Sequence, residues 1–508
     1  MKSGKTEKAK FILPWVVVLL ALIFPLFLYA NNLGEVTLES LWRPVLFSLL
    51  LGISIFGVVY LLIHDSQKAG LITGILELFI FSYGHIYNLL KSIEIFNEPI
   101  GRHRYLFPVL LLMVVFLIWR LFKHSDDNEN LIKIANILTL VLFLIQTISI
   151  VVFEAKSLIA GSQSSDKISM SETVDANLEQ RDIYLIVLDA YSRSDWLKEW
   201  SAVDNTDFLN TLGDLGFYIA PCSRSNYSYT IQAMTSELNM DYLQNLNVPY
   251  TNTEMSVKLK NSEVRQRLSE EGYEFIFFET GYPWIEMEDA DRFIEAEEQS
   301  SSLDDFEFLY FKTTALLFPY DTYQKMTDDK DIDLSVKRYA ARVNSALNHL
   351  KKPLKESEPL FVYAHIVSPH SPRVFNANGS INHQWEQNPE SATHATYSYI
   401  NDQVLEIVST ILENSNPEPI IIIQADHGDG EYGYRNLILN AYYFPDGGAS
   451  NLYPTITPVN TFRLIFDYYF QTDFGLLDDR SYYSPEKSRF EFEVVKDPYN
   501  YCQELNED

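Results

Sequence analysis

The run IIIIQADHGDG, Ile420 to Gly430, carries four isoleucines straight into Asp426, His427 and Asp429. Carboxylates beside one imidazole suit a divalent cation such as manganese, zinc or magnesium. A second run, IYLIVLDA, ends in the same way at Asp189. Taken singly, an Asp after a strand is usually a cap or turn residue, and a lone His is usually a satisfied structural one. Two strands that end independently in metal-capable groups change that balance. Gly428 and Gly430 let the backbone turn tightly beside a bound group. His365 and His370 close a third such stretch, PLFVYAHIVSPH.

A nucleophile is the next requirement. In CSRSNYSYTIQAMTSELNMDYL a polar opening gives way at Thr230 to an amphipathic pattern of Ile231, Met234, Leu238 and Tyr242. The pattern predicts a helix with Thr230 at its N-terminus, where unpaired N–H groups and the dipole favour an anion. A hydroxyl deprotonated there by metal coordination can attack phosphorus or sulfur. The alternative is that Thr230 only caps the helix. Thr235 is a weaker candidate because it falls inside the helix. Arg193, Arg224, Arg373 and Arg435 are candidates for holding a phosphate.

These side chains need a frame. The continuous apolar run Ile183–Leu188 suits a parallel strand covered on both faces. Helical patterns alternate with further strands, as in NSEVRQRLSEEGYEFIFFET and in VKRYAARVNSALNHLKK before PLFVYAHIVSPH. Such alternation predicts an open, largely parallel sheet between layers of helices. In these sheets ligands bind beyond the carboxyl ends of the strands. Asp189, His365, His370, Asp426 and His427 all fall at or shortly after such ends.

The chain before this part differs in kind. Five apolar segments, about Phe11–Ala30, Pro44–Ile63, Gly70–Leu90, Tyr105–Phe122 and Leu131–Phe153, precede it. Each is near the roughly 20 residues that a helix needs to cross a bilayer. The expected organisation is a membrane domain of residues 1–153, a polar Ser-rich tether of residues 154–181 and a globular domain of residues 182–508. Lys2, Lys5, Lys8 and Lys10 place the N-terminus in the cytoplasm, and Arg120, Lys123 and Lys133 place the fourth connection there too. Lys91, Arg102 and Arg104 in the third connection run against the pattern, although Glu94 and Glu98 accompany them. An odd number of spans puts the globular part outside. Residues 1–153 hold 12 basic and 10 acidic side chains, and the remainder holds 27 and 58. That acidic surface excludes nucleic acid as a partner, since nothing would neutralise phosphate. Two cysteines, Cys222 and Cys502, allow one bridge at most and no cysteine metal site.

YLIVLDAYSRSD, NYSYTIQAMTSELNMDYL, FVYAHIVSPHSP, IIIQADHG and YPTITPVNTFRLIFDYYF occur in this order. Together, from about Ile183 to Phe470, they resemble the sulfatase-like branch of the alkaline phosphatase superfamily. Five spans before an outward-facing domain are similar to lipoteichoic acid synthases and lipid A phosphoethanolamine transferases. The resemblance implies a multi-span α-helical membrane domain followed by an alkaline-phosphatase-like α/β/α sandwich with a largely parallel sheet. It implies one divalent metal ion, held by Asp189, Thr230, Asp426 and His427. Thr230 matches the family nucleophile. His370, with His365 a companion, matches the histidine that contacts the transferred or leaving group.

Two departures from the family pattern narrow the chemistry. Sulfatases carry Cys-x-Pro-x-Arg or Ser-x-Pro-x-Arg, whose first residue becomes formylglycine, whereas Thr230 is followed by IQAMT. No histidine follows His427, so a one-metal site is expected over a two-zinc site. The implied function is a metal-dependent membrane enzyme that moves a phosphoglycerol or phosphoethanolamine headgroup. Its donor would be a phospholipid or lipid-linked molecule, and its acceptor an envelope glycan or lipid. The alternatives are a sulfatase-type ester hydrolase and a non-catalytic sulfatase-fold component of envelope assembly. The expected location is the bacterial inner membrane, multi-pass, with the catalytic domain on the periplasmic or extracellular side.

Overall fold

The structure, a computed structural model, describes residues 14–33, 36, 38–91, 93–95, 98–99, 101–123, 128–163, 180–248, 250–296, 303, 305–326, 334–354, 358–485, 488–499 and 502. It divides into two compact units, Met1–Lys156 with Ser300–Asp331, and Ser157–Gln299 with Ile332–Asp508. The first unit contains α1 (Trp15–Ala30), α2 (Trp42–Ile63), α3 (Ser66–Leu90), α4 (His103–Lys123) and, up to Lys156, α5 (Asn128–Gln163). A short antiparallel pair, β1 (Glu94–Ile95) and β2 (Glu98–Pro99), separates α3 from α4. Helices α2 to α5 are long and apolar enough to cross a membrane, while α1 spans 16 residues. Phe11–Leu13 of the expected first span lie outside the described residues. Of the expected tether, Glu154–Gln163 continue α5, and residues 164–179 lie outside the described residues.

The second unit is built on a sheet. Its strands are β3 (Ile183–Leu188), β4 (Tyr218–Ile219), β5 (Glu274–Phe278), β6 (Arg292–Ile294), β7 (Leu360–Ile366), β8 (Ile420–Gln424) and β9 (Asn440–Tyr443). They lie in the order β4-β9-β8-β3-β7-β5-β6. Strands β8, β3, β7, β5 and β6 are parallel, and β9 is antiparallel to both β8 and β4. A small antiparallel pair, β10 (Ser481–Tyr483) and β11 (Glu493–Val495), follows. The helices after α5 are α6 (Ser194–Trp200), α7 (Thr206–Asp214), α8 (Thr230–Leu238), α9 (Asn252–Lys260) and α10 (Glu263–Glu270). Then come α11 (Asp305–Thr313), α12 (Leu317–Met326), α13 (Leu334–Leu350), α14 (Pro389–Asn414) and α15 (Thr461–Tyr469).

Every residue of β3, β7 and β8 is buried, which is why these strands read as unbroken apolar runs. Alternation along β3 divides the core in two. Tyr184, Ile186 and Leu188 join a cluster with residues of α7, α13 and α14. Ile183, Leu185 and Val187 join another with residues of α8, α9, α10 and α15. Each fully buried Ile of β8 contributes roughly 1.5–3 kcal/mol. The expected three-layer α/β/α arrangement is therefore present.

The helices α11 and α12 depart from the expected organisation. They lie between β6 and α13 in the chain, yet they belong to the first unit. Tyr310 OH is 2.6 Å from the buried Ser48 Oγ of α2, and Arg43 is 3.4 Å from Glu307. His103 Nε2 of α4 meets Asp321 at 2.8 Å, while its Nδ1 meets Tyr83 OH of α3 at 2.7 Å. Ala315 N donates to Ile80 O at 2.6 Å. Gly84 makes the approach possible, because a Cβ there would stand 2.1 Å from Lys312 O and 2.6 Å from Thr313 Cα.

Candidate metal centre

Strand β3 lies between β7 and β8, with Val187 level with both His365 and Gln424. The carboxyl ends therefore open side by side, and the residues just beyond them meet. Asp189, Asp426 and His427 are all buried, and one ligand atom from each lies within 4.8 Å of the others. His427 Nε2 is 3.7 Å from Asp189 Oδ1 and 3.6 Å from Asp426 Oδ2. Those same two oxygens are buried without a hydrogen-bond partner. Bare buried carboxylate oxygens are costly. A divalent cation between them and His427 Nε2 would satisfy both, so the residues present fit such an ion.

The other atoms of the three side chains are held in place. Asp426 Oδ1 accepts from Ala190 N at 3.2 Å, and His365 Nε2 is 3.4 Å from Asp189 Oδ2. Ala190 has φ of 61°, a strained value for a residue with a Cβ, immediately after Asp189. His427 Nδ1 donates to Gly428 O at 3.0 Å, which leaves the lone pair on Nε2. Gly428 lets the loop pass close to its neighbours, since a Cβ would stand 2.3 Å from Leu437 O. Gly430 has φ of 120°, the left-handed side that favours glycine.

Charge sets the protonation states. Burial alone would raise the Asp189 carboxyl, but His370, the His365 hydrogen bond and His427 outweigh it and hold Asp189 well below the usual carboxylate range. Burial pushes the His427 imidazole down, and Arg435 and His370 add to that against the pull of Asp426 and Asp189. Burial also opposes charge on His365, yet Asp189 and Asp426 prevail and raise it. A charged carboxylate and a neutral imidazole are the forms that a metal ion takes.

Thr230 is the first residue of α8 and is half-buried. The cap position belongs to Tyr229, whose backbone is extended, and no side chain caps the helix. Among the described residues nothing hydrogen-bonds the Thr230 hydroxyl, so it is not acting as a cap. Arg435 joins this turn to the metal centre. Its Nε donates to Ser228 O at 2.6 Å, and its Nη2 lies 3.4 Å from His427 Nε2. His370 is half-buried, its ring 6.2 Å from that of His427 between centroids, and its Nδ1 donates to Ser371 O at 2.6 Å. His365 is buried behind Asp189, with Tyr363 OH 3.3 Å from its Nδ1. Thr235 is buried and spends its hydroxyl on Met255 O at 3.3 Å. Of the four candidate arginines, Arg193 is taken by Asp195 and Asp497, Arg224 by Val495 O, and Arg373 by Asp429. Arg435 alone of the four touches the centre.

The chain beyond Phe470 was not part of the expected site, yet it borders the turn that carries Thr230. Tyr482 O accepts from Ser228 Oγ at 3.2 Å, and Arg489 O accepts from Gln232 Nε2 at 2.5 Å. Cys502 closes a disulfide to Cys222. Main-chain acceptors leave no trace in a sequence; the paired cysteines were the one signal available.

No family model matches the chain, and no curated protein matches it. Among solved structures, the chain is similar to the zinc complex of the C-terminal periplasmic domain of EcEptC from Escherichia coli. That likeness has 9% identity and a TM-score of 0.43, over 66% of this chain and 98% of the other. A protein in the alkaline phosphatase superfamily from Vibrio parahaemolyticus gives 13% and 0.38, over 66% and 82%. The integral membrane lipooligosaccharide phosphoethanolamine transferase A from Neisseria meningitidis gives 12% and 0.34, over 86% and 89%. At such identities and scores these likenesses assign the chain no reaction, and the functional reading rests on the site.

Proposed function

We propose that the chain is a metal-dependent membrane enzyme that transfers a phosphoglycerol- or phosphoethanolamine-type headgroup from a phospholipid to an envelope glycan or lipid. The observation that carries this reading is the pair of bare buried oxygens, Asp189 Oδ1 and Asp426 Oδ2, converging on His427 Nε2. These three residues, with the Thr230 hydroxyl, would hold one divalent ion of the manganese, zinc or magnesium class. When bound, it supplies Lewis-acid stabilisation and eases deprotonation of a coordinated hydroxyl.

Thr230 Oγ1 releases its proton to bulk water, which returns it when the oxygen is set free again, and attacks the donor phosphorus. The P–O bond to the lipid breaks, and the lipid oxygen leaves as an alcohol with a proton from His370 Nε2. The headgroup then rests on Thr230 as a phosphodiester. An acceptor hydroxyl attacks the same phosphorus and returns a proton to His370, and the Thr230 oxygen is released. His370 suits this shuttle because its Nδ1 is spent on Ser371 O, which leaves Nε2 for exchange. His365 acts through Asp189, which it orients. Transfer is favoured over hydrolysis because the apolar helices hold the chain at a lipid source. The globular unit would face the periplasm or exterior from a multi-pass inner-membrane protein, a compartment that suits the Cys222–Cys502 bridge.

Replacement of Thr230 by Ala tests the reading. Turnover of a fluorescent phospholipid should fall by about three orders of magnitude or more, with thermal stability unchanged because the hydroxyl caps nothing. Near wild-type turnover in Thr230→Ala would overturn the nucleophile assignment.

A further inference from the structure

Helix α3 is long and apolar enough to cross a membrane, yet it carries Glu77 near its middle. About 17 Å of helix precede that residue and about 20 Å follow it, so neither end brings it to water. Glu77 is fully buried, and neither of its carboxyl oxygens has a hydrogen-bond partner among the described residues. A carboxyl so placed is costly, and helices of this kind keep one where it has a task. The packing makes room for it. A Cβ on Gly52 of α2 would stand 2.1 Å from Glu77 Oε1 and 3.5 Å from Ala21 Cβ of α1. The carboxyl therefore lies where α1, α2 and α3 meet.

The neighbouring helices bring no cation to this place. Helix α1 has no charged residue, and α2 has only Arg43, in its first turn and 3.4 Å from Glu307. Helices α4 and α5 carry their charges outside their apolar stretches, and Lys68 of α3 meets Asp65 at 3.9 Å. What stands near Glu77 is hydroxyl. Thr73 lies one turn earlier on the same face of α3, its Oγ1 buried and also without a partner. Ser48, Ser54, Thr139 and Thr147 instead spend their hydroxyls on the carbonyl four residues earlier. Ser48, one turn before Gly52, also meets Tyr310 OH of α11 at 2.6 Å. Burial raises the Tyr310 phenol, the Ser48 bond opposes this, and the Glu77 charge adds to the rise. Tyr310 is thus a titratable group within electrostatic reach of the carboxyl.

We propose that Glu77, with Thr73 Oγ1 as a second oxygen, forms an intramembrane site for a monovalent cation, a proton or a sodium ion, separate from the metal centre. One positive charge neutralises the carboxylate, whereas a divalent ion would leave a net charge among apolar helices. Oxygen donors suit a hard cation. By linkage the bound cation stabilises the packing of α1, α2 and α3. The inference does not depend on the headgroup-transfer reading.

The experiment treats full-length protein in detergent with dicyclohexylcarbodiimide, an apolar reagent that modifies protonated carboxyls, and locates the adduct by peptide mass spectrometry. Glu77 should take the label, more slowly as pH rises. If the cation is sodium, labelling slows about tenfold once sodium chloride reaches about ten times its Kd, against an equal concentration of choline chloride. If it is a proton, sodium changes nothing. In the sodium case Thr73→Val should demand about tenfold more sodium for the same protection, and an unchanged demand would remove Thr73 from the site. The second readout is the gap in melting temperature between wild type and Glu77→Gln, which has no charge to neutralise. That gap should move with sodium in the one case and with pH alone in the other. Labelling and a melting gap that respond to neither sodium nor pH would overturn the site.

Discussion

Glu237 lies wholly inside the second unit on α8, one oxygen accepting from Gln424 Nε2 at 2.5 Å and the other without a partner. Burial pushes its carboxyl up from 4.5 to about 8, with the charge of Asp426 adding to the effect. Between those values the folded protein keeps a proton that the unfolded chain has lost. The stability this proton contributes is full below the unfolded value and is lost as pH rises through the folded one. Glu237→Gln carries the neutral form at every pH. In melting curves of full-length, chelator-treated protein, the variant should gain on wild type steadily between about pH 5 and about pH 8. Parallel pH profiles would show that Glu237 is not held protonated. At this scale the sequence was legible where chemistry coincides with a strand end. Asp189, Asp426 and His427 follow apolar runs that can only be buried, so their convergence could be read directly. The carbonyl of Arg489 could not be read, because its bond to Gln232 depends on a fold-back of the C-terminal chain that local pattern does not record.

Strands β3, β7 and β8 were visible as unbroken apolar runs because both of their faces are covered. The pairing of β9 antiparallel to β8 was not visible, since a strand's direction is set by the connection that precedes it. The attachment of α11 and α12 to the membrane helices was equally hidden. It depends on Gly84, a residue that reads as an ordinary small position in an apolar helix. Any Cβ there meets the backbone of Lys312 and Thr313, which cannot swing aside as a side chain can. Gly84→Val should therefore release the excursion and expose residues 305–326 to limited proteolysis in detergent. Gly57→Val is the control, because a Cβ at Gly57 meets nothing within 4 Å. Equal protection of the two variants would contradict the close packing.

Over the whole molecule, the excursion bears on orientation. Its contacts fall at Arg43 and Ser48 near the start of α2, at Ile80 and Gly84 near the end of α3, and at His103, where α4 begins. Under the proposed topology, with the lysine-rich N-terminus inside, an up-and-down bundle would place these helix ends outside, the side on which α5 would also finish. Composition divides the chain near Phe153, because the acidic excess lies entirely after it. It could not anticipate that part of the later chain joins the earlier unit. The central claim unites both units: an outward-facing Thr230 takes a headgroup from a lipid with the help of one metal ion. The direct measurement is peptide mass spectrometry of full-length protein in liposomes, supplied with metal and phospholipid but no acceptor, then quenched in acid. The account predicts a headgroup phosphodiester on Thr230 that disappears when the metal is chelated. An unmodified Thr230 peptide, in a preparation that modifies acceptor once acceptor is added, would contradict it.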